Sequence, residues 1–160
     1  MPRDFVIIDT NIWQFALAKP KEKELDQLHE SAKEFLFSII NDQTIRIGIS
    51  TYQVGEILEV LRKTGISWED RSRIFDDFRK PKFYIKELSM DDTIASANDS
   101  AKSNIHVYDY MVVYPLKDIV YRIYSADEHL MHEDFRSICE VINPVSPWSQ
   151  TEGKRPEKRY

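Results

Sequence analysis

The chain opens with four consecutive apolar residues, Phe5-Val6-Ile7-Ile8, closed by an acid, Asp9. Such a run predicts a buried strand that delivers a carboxylate to its end. The apolar period restarts at Ile12, Trp13 and Leu17, so a helix is expected from about Asn11. Leu28, Ala32, Phe35, Leu36, Ile39 and Ile40 recur at helical spacing and predict an amphipathic helix over 24–41. Ile45, Ile47 and Ile49 alternate with Arg46 and Gly48, which is the pattern of a second strand. Ser50-Thr51 then starts a helix with Val54, Ile57, Leu58 and Leu61 on one stripe, and Gly65 is its stop. A helix over 67–78 carries Trp68, Ile74, Phe75 and Phe78 and is ended by Pro81.

The alternation continues with a third strand over 82–88 and a capping-box pattern, Ser89-Met90-Asp91-Asp92, with Asp in place of Glu. The helix it opens has Met90, Ile94, Ala97 and Ala101 in register. A further helix contains 109–116, limited by Pro115. A fourth strand over 119–124, a short helix over 127–134 and a short strand at 141–142 complete the pattern. Strands alternating with helices predict an α/β fold, a mostly parallel sheet covered on both faces. One domain is expected over 1–146. From Pro147 the apolar period stops, and a basic polar tail over 147–160 is expected to be flexible, with an arm that touches RNA or a protein partner as the alternative.

Composition narrows the class. With 160 residues, 42% hydrophobic and 31% charged, the chain suits one soluble globular domain. No apolar run approaches a membrane span. A single cysteine, Cys139, excludes an internal disulfide, and the N-terminus has no signal-peptide pattern, so a cytoplasmic setting is expected. The net charge of -5 argues against broad electrostatic binding of nucleic acid but leaves room for a local basic groove, for which Arg46, Arg62, Lys63, Lys102 and the C-terminal tail are candidates.

Four acids recur at element ends. Asp9 and Asp127 directly follow predicted strands; Glu56 and Asp109 sit near the starts of helices that pack on the sheet. Asp9, Asp109 and Asp127 each have a bland reading as helix caps, Glu56 as a solvated glutamate, and Glu59 is its rival as the functional acid. All four on one rim, however, would repel one another strongly unless cations or raised pKa values intervened. Hard oxygen ligands suit Mg²⁺ or Mn²⁺, which support phosphodiester cleavage by an activated water.

In these four blocks the chain resembles the PIN-domain ribonucleases, including the VapC-type toxins of toxin–antitoxin pairs. Val6-Ile7-Ile8-Asp9-Thr10-Asn11-Ile12-Trp13 is similar to the family's opening motif, and Ile49-Ser50-Thr51-Tyr52-Gln53-Val54-Gly55-Glu56 to its second, whose spacing favours Glu56 over Glu59. Val107-Tyr108-Asp109-Tyr110-Met111-Val112 and Ile123-Tyr124-Ser125-Ala126-Asp127-Glu128-His129-Leu130 are similar to the third and fourth. The resemblance spans roughly 5–144. It implies a five-stranded parallel sheet between helices and a metal-dependent endoribonuclease. Asp9 and Asp109 would be the principal ligands of Mg²⁺ or Mn²⁺. Asp127 would hold a second ion or a coordinated water, and Glu56 would orient the attacking water or complete the metal's shell. Thr10, Asn11 and Ser125 would supply supporting hydrogen bonds. It also implies an RNA substrate, a homodimer and, for a toxin, an antitoxin partner; a constitutive RNA-processing role is the alternative.

Two features depart from the family pattern: the acidic balance, and the bulky third block with Tyr108, Tyr110 and Tyr114, read as core or as base-stacking rings. They keep open a PIN-like module that binds RNA or protein without cutting. A small-molecule phosphatase is the third reading, disfavoured because Asp9-Thr10-Asn11 lacks a second Asp. His129 and His132 have no Cys or third His beside them and read as surface histidines; Cys139 reads as packing. No phosphate-binding glycine loop is present.

Overall fold

The computed structural model describes residues 2–151 and 154–160. Five strands pair in the order β3-β2-β1-β4-β5, where β1 is Phe5–Ile8, β2 Arg46–Ser50, β3 Phe83–Lys86, β4 Val120–Tyr124 and β5 Glu140–Ile142. Every neighbouring pair in this sheet is parallel. The expected α/β architecture, a five-stranded parallel sheet between helices, is therefore the one observed.

The apolar run of β1 is explained by burial on both faces. Val6 and Ile8 join Ile47 and Ile49 of β2 in a core with Ile12 and Trp13 of α1 (Thr10–Leu17), Leu28 and Leu36 of α2 (Asp26–Asn41), and Ile57 and Leu61 of α3 (Thr51–Lys63). Phe78 ends α4 (Trp68–Phe78) on the same side. Phe5 and Ile7 point the other way, into a core with Val120, Ile123, Tyr110 and Val113 of α6 (Val107–Val113) and Phe135 of α7 (Glu133–Arg136). At Gly48 β2 passes close to this second layer: a Cβ there would lie 3.1 Å from Leu116 Cδ2.

Three expectations need correction. The stripe of α5 (Met90–Ser103) faces solvent: Met90 is 74% and Ile94 51% exposed. The helix packs instead through its small polar side. Ser103 Oγ meets Tyr110 Oη at 2.6 Å, and Tyr114 Oη donates to Asp99. Buried tyrosines need hydroxyl partners, and a face of Ser and Asp supplies them. The Ser89–Asp92 capping box is present as expected. Second, the helix over 127–134 is two pieces, a 3₁₀ turn at Glu128–Met131 and α7, because His132 is extended and caps Asp134 N with its Nδ1 at 3.1 Å. Third, regular structure continues past Pro147. β6 (Trp148–Ser149) pairs antiparallel with β7 (Glu157–Lys158), Trp148 is buried in the first core, and Arg159 Nε meets Glu128 Oε1 at 2.7 Å. Two-residue strands are too short to leave a period in the sequence. Among the described residues no helix is long and apolar enough to cross a membrane.

Candidate active site

The strand order reverses beside β1, with β2 on one side and β4 on the other. In open α/β sheets the crevice outside the carboxyl ends at such a reversal is where ligands bind. Asp9 leaves β1 and Ser125-Ala126-Asp127 leaves β4 at that edge. The end of β1 is rigidly held. Trp13 Nε1 and Gln53 Nε2 both donate to Ile8 O, at 3.0 and 2.6 Å, and Asp9 N donates to Tyr124 O at 2.8 Å. Gln53 is fully buried because this carbonyl is its partner.

Asp9 is buried and caps α1: its Oδ1 accepts from Thr10 N at 2.8 Å and its Oδ2 from Ser125 Oγ at 2.6 Å. Burial pushes its carboxyl up to about 7, despite the Ser125 bond that favours the charged form; the carboxylates of Asp127 and Glu56 push in the same direction as burial. Ser125 Oγ also accepts from Asp127 N at 2.9 Å, so one hydroxyl ties the two acids together. Asn11 Oδ1 accepts from Ala126 N at 3.4 Å.

Glu56 reaches the same rim from α3. Thr10 Oγ1 donates to its Oε1, and Tyr52 Oη donates to its Oε2 at 3.1 Å. Glu59 is exposed and occupied by Arg62, at 2.9 and 2.7 Å, so it does not compete for this position. Burial and the nearby carboxylates of Glu56 and Asp109 raise the Tyr52 hydroxyl's pKa far above its ordinary value, so it remains a donor. The ring of Tyr52 stacks on Tyr108, with centroids 5.8 Å apart and planes 7° from parallel. Of the three tyrosines in the third block, Tyr110 and Tyr114 are core, whereas Tyr108 is 50% exposed.

Asp109, on the first turn of α6, and Asp127 meet His129, which the sequence offered only as a surface histidine. His129 Nδ1 lies 3.8 Å from Asp109 Oδ2 and 3.8 Å from Asp127 Oδ1. One ligand atom from each of Asp109, Asp127 and His129 falls within 4.8 Å of the others. Asp127 Oδ1 also accepts from His129 N at 2.8 Å, and this turn swings the imidazole back over the acid that caps it. His129 is therefore not the surface histidine expected. The Asp-x-His spacing at the start of a turn is the one sequence signal that points to it. His129 Nδ1 is buried and makes no hydrogen bond among the described residues. A buried ring nitrogen between two carboxylates, with a third acid held by Ser125 and a fourth by Thr10 and Tyr52, fits a divalent cation.

Comparison with known proteins gives one further observation. No family model and no curated protein matches the chain. Among solved structures it superposes on Mycobacterium tuberculosis VapC20, a toxin that cleaves the sarcin–ricin loop, with a TM-score of 0.55 at 13% identity, over 74% of this chain and 86% of that one. The chain has the PIN-like fold of this toxin. At this identity the likeness to VapC20 speaks for the fold. The site rests on the side chains above.

Proposed function

We propose that this protein is a divalent-metal-dependent endoribonuclease that cleaves RNA phosphodiester bonds. The observation that carries the reading is the convergence of Asp9, Glu56, Asp109 and Asp127 on the switch point of a fold shared with an RNA-cleaving toxin. In this reading Asp9, Asp109 and Asp127 hold Mg²⁺ or Mn²⁺. When bound, the ion supplies an activated water and neutralises charge on the leaving oxygen. Ser125 fixes the carboxylate of Asp9 and, through Asp127 N, the loop that carries the third acid. Thr10 and Tyr52 hold the Glu56 carboxylate beside the other acids, where it orients the attacking water or completes the metal's shell. The exposed ring of Tyr108, backed by Tyr52, offers an unpaired base a stacking surface beside the acids. The homodimer, the antitoxin partner and the toxin role implied by the resemblance belong to the same proposal.

The test uses chelator-treated protein with sarcin–ricin-loop RNA and an unstructured RNA. Cleavage of either on adding Mn²⁺ or Mg²⁺, lost in Asp109→Asn, is the expected result. Cleavage that persists in chelator or in Asp109→Asn overturns the reading. RNA binding without cleavage in the presence of metal points instead to the non-catalytic module. For the toxin role, expression should arrest growth in the wild type and not in Asp109→Asn.

A further inference from the structure

We propose that His129 is a nitrogen ligand of the metal centre, and that it biases the centre toward a first-row transition ion such as Mn²⁺ and away from Mg²⁺. The inference rests on the metal-dependent reading above and specifies its donor set.

The geometry carries it. His129 Nδ1 stands 3.8 Å from a carboxylate oxygen of Asp109 and 3.8 Å from one of Asp127. That separation is too long for a hydrogen bond. It is short enough for a shared ion, since two atoms each about 2.1 Å from one cation lie at most about 4.2 Å apart. The three donor atoms fall within 4.8 Å of one another, so closure on an ion needs side-chain adjustments of only a few tenths of an ångström. The Nδ1 atom is withdrawn from solvent and makes no hydrogen bond among the described residues, although the residue as a whole is partly exposed. In the tautomer protonated at Nε2, a buried Nδ1 beside two carboxylates presents its lone pair where a cation would sit.

The turn that carries the ring is also held in place. The backbone N of His129 donates to Asp127 Oδ1, which fixes the turn, and the His106 ring lies 6.4 Å away at 29°. From the other side the C-terminal hairpin holds the same turn: Glu128 N donates to Gln150 O at 3.3 Å and Gln150 N to Ala126 O at 2.9 Å. A nitrogen donor changes metal choice for a simple reason. Mg²⁺ is a hard ion that prefers oxygen and keeps its waters, whereas imidazole binds first-row transition ions, Mn²⁺ included, more tightly than it binds Mg²⁺. An all-oxygen rim would leave that choice nearly open.

The experiment is pulsed electron paramagnetic resonance on the full chain loaded with Mn²⁺, prepared with ¹⁴N- and then ¹⁵N-labelled histidine. Calorimetry of Mn²⁺ and Mg²⁺ runs beside it. The expected result is a nitrogen coupling to Mn²⁺ that changes with the isotope and disappears in His129→Gln. The Mn²⁺ dissociation constant should rise about tenfold in the variant, with little change for Mg²⁺. Tight Mn²⁺ binding in wild type without any histidine nitrogen coupling overturns the assignment of His129 and leaves the nuclease reading standing. Absence of any Mn²⁺ binding overturns both. Wild-type spectra alone decide the nitrogen question, so a variant that fails to fold does not remove the test.

Discussion

Replacing Asp9 by Asn should stabilise the metal-free protein, and increasingly so as pH rises. The carboxyl titrates at about 7 in the folded chain against an ordinary value of 3.8, chiefly because burial penalises its charge. Below pH 3.8 the group is protonated in both folded and unfolded chains and adds no pH dependence. Between 3.8 and about 7 the folded protein keeps a proton that the unfolded chain has lost, so stability falls as pH rises. Above 7 the penalty is complete, at about 4 kcal/mol. Integrated from pH 5 to pH 8, the loss attributable to this group is about 2–3 kcal/mol. Asn escapes it. The hydrogen bonds from Thr10 N and Ser125 Oγ are disturbed by the amide, but that cost is independent of pH. Urea denaturation in chelator at pH 5 and pH 8 measures the difference. The variant should gain about 2–3 kcal/mol on wild type between the two. Adding Mn²⁺ at pH 8 should stabilise wild type more than the variant, by mass action on the folded state. A stability difference that does not change with pH would refute the claim that Asp9 is a strained buried acid.

Three further outcomes follow from the same geometry. Ser125→Ala removes the hydrogen bond that favours the Asp9 carboxylate, so calorimetry across pH should show Mn²⁺ binding shifted to higher pH; an unshifted profile counts against the Ser125–Asp9 link. Tyr108→Ala should weaken binding of single-stranded RNA about 5- to 100-fold, with Mn²⁺ affinity unchanged, as read by fluorescence anisotropy; unaltered RNA affinity removes the stacking surface. Ile7→Ala at a fully buried position in the central strand should cost about 2–5 kcal/mol in chemical denaturation, and a loss below about 1 kcal/mol would mean the second core is looser than described.

The central strand and its acid were legible because burial on both faces forces an unbroken apolar run, and only Asp9 interrupts it where the strand ends. The capping box before α5 was legible because its two reciprocal bonds join residues only three apart in sequence, Ser89 and Asp92. The buried face of α5 was not, because Ser103 and Asp99 meet the hydroxyls of Tyr110 and Tyr114 and the buried Ser96 bonds back to Asp92 O of its own helix, which carries no hydrophobic period. Trp148 closes part of the first core from a two-residue strand that has no pattern to read. His129 was hidden for a different reason: its role depends on how a turn folds the ring back over Asp127, and spacing alone does not reveal it. The same limit applies to the supporting bonds. Thr10 reaches Glu56 across 46 residues of sequence and Ser125 reaches Asp9 across 116. Only the switch point in the sheet makes them neighbours.

The most direct test of the account is to locate the ion in crystals of the full chain soaked in Mn²⁺, by anomalous scattering at the manganese edge. The expected result is a peak about 2.2 Å from carboxylate oxygens of both Asp109 and Asp127, at the carboxyl edge between β1 and β4. A protein that cleaves RNA while its only Mn²⁺ lies elsewhere would contradict it.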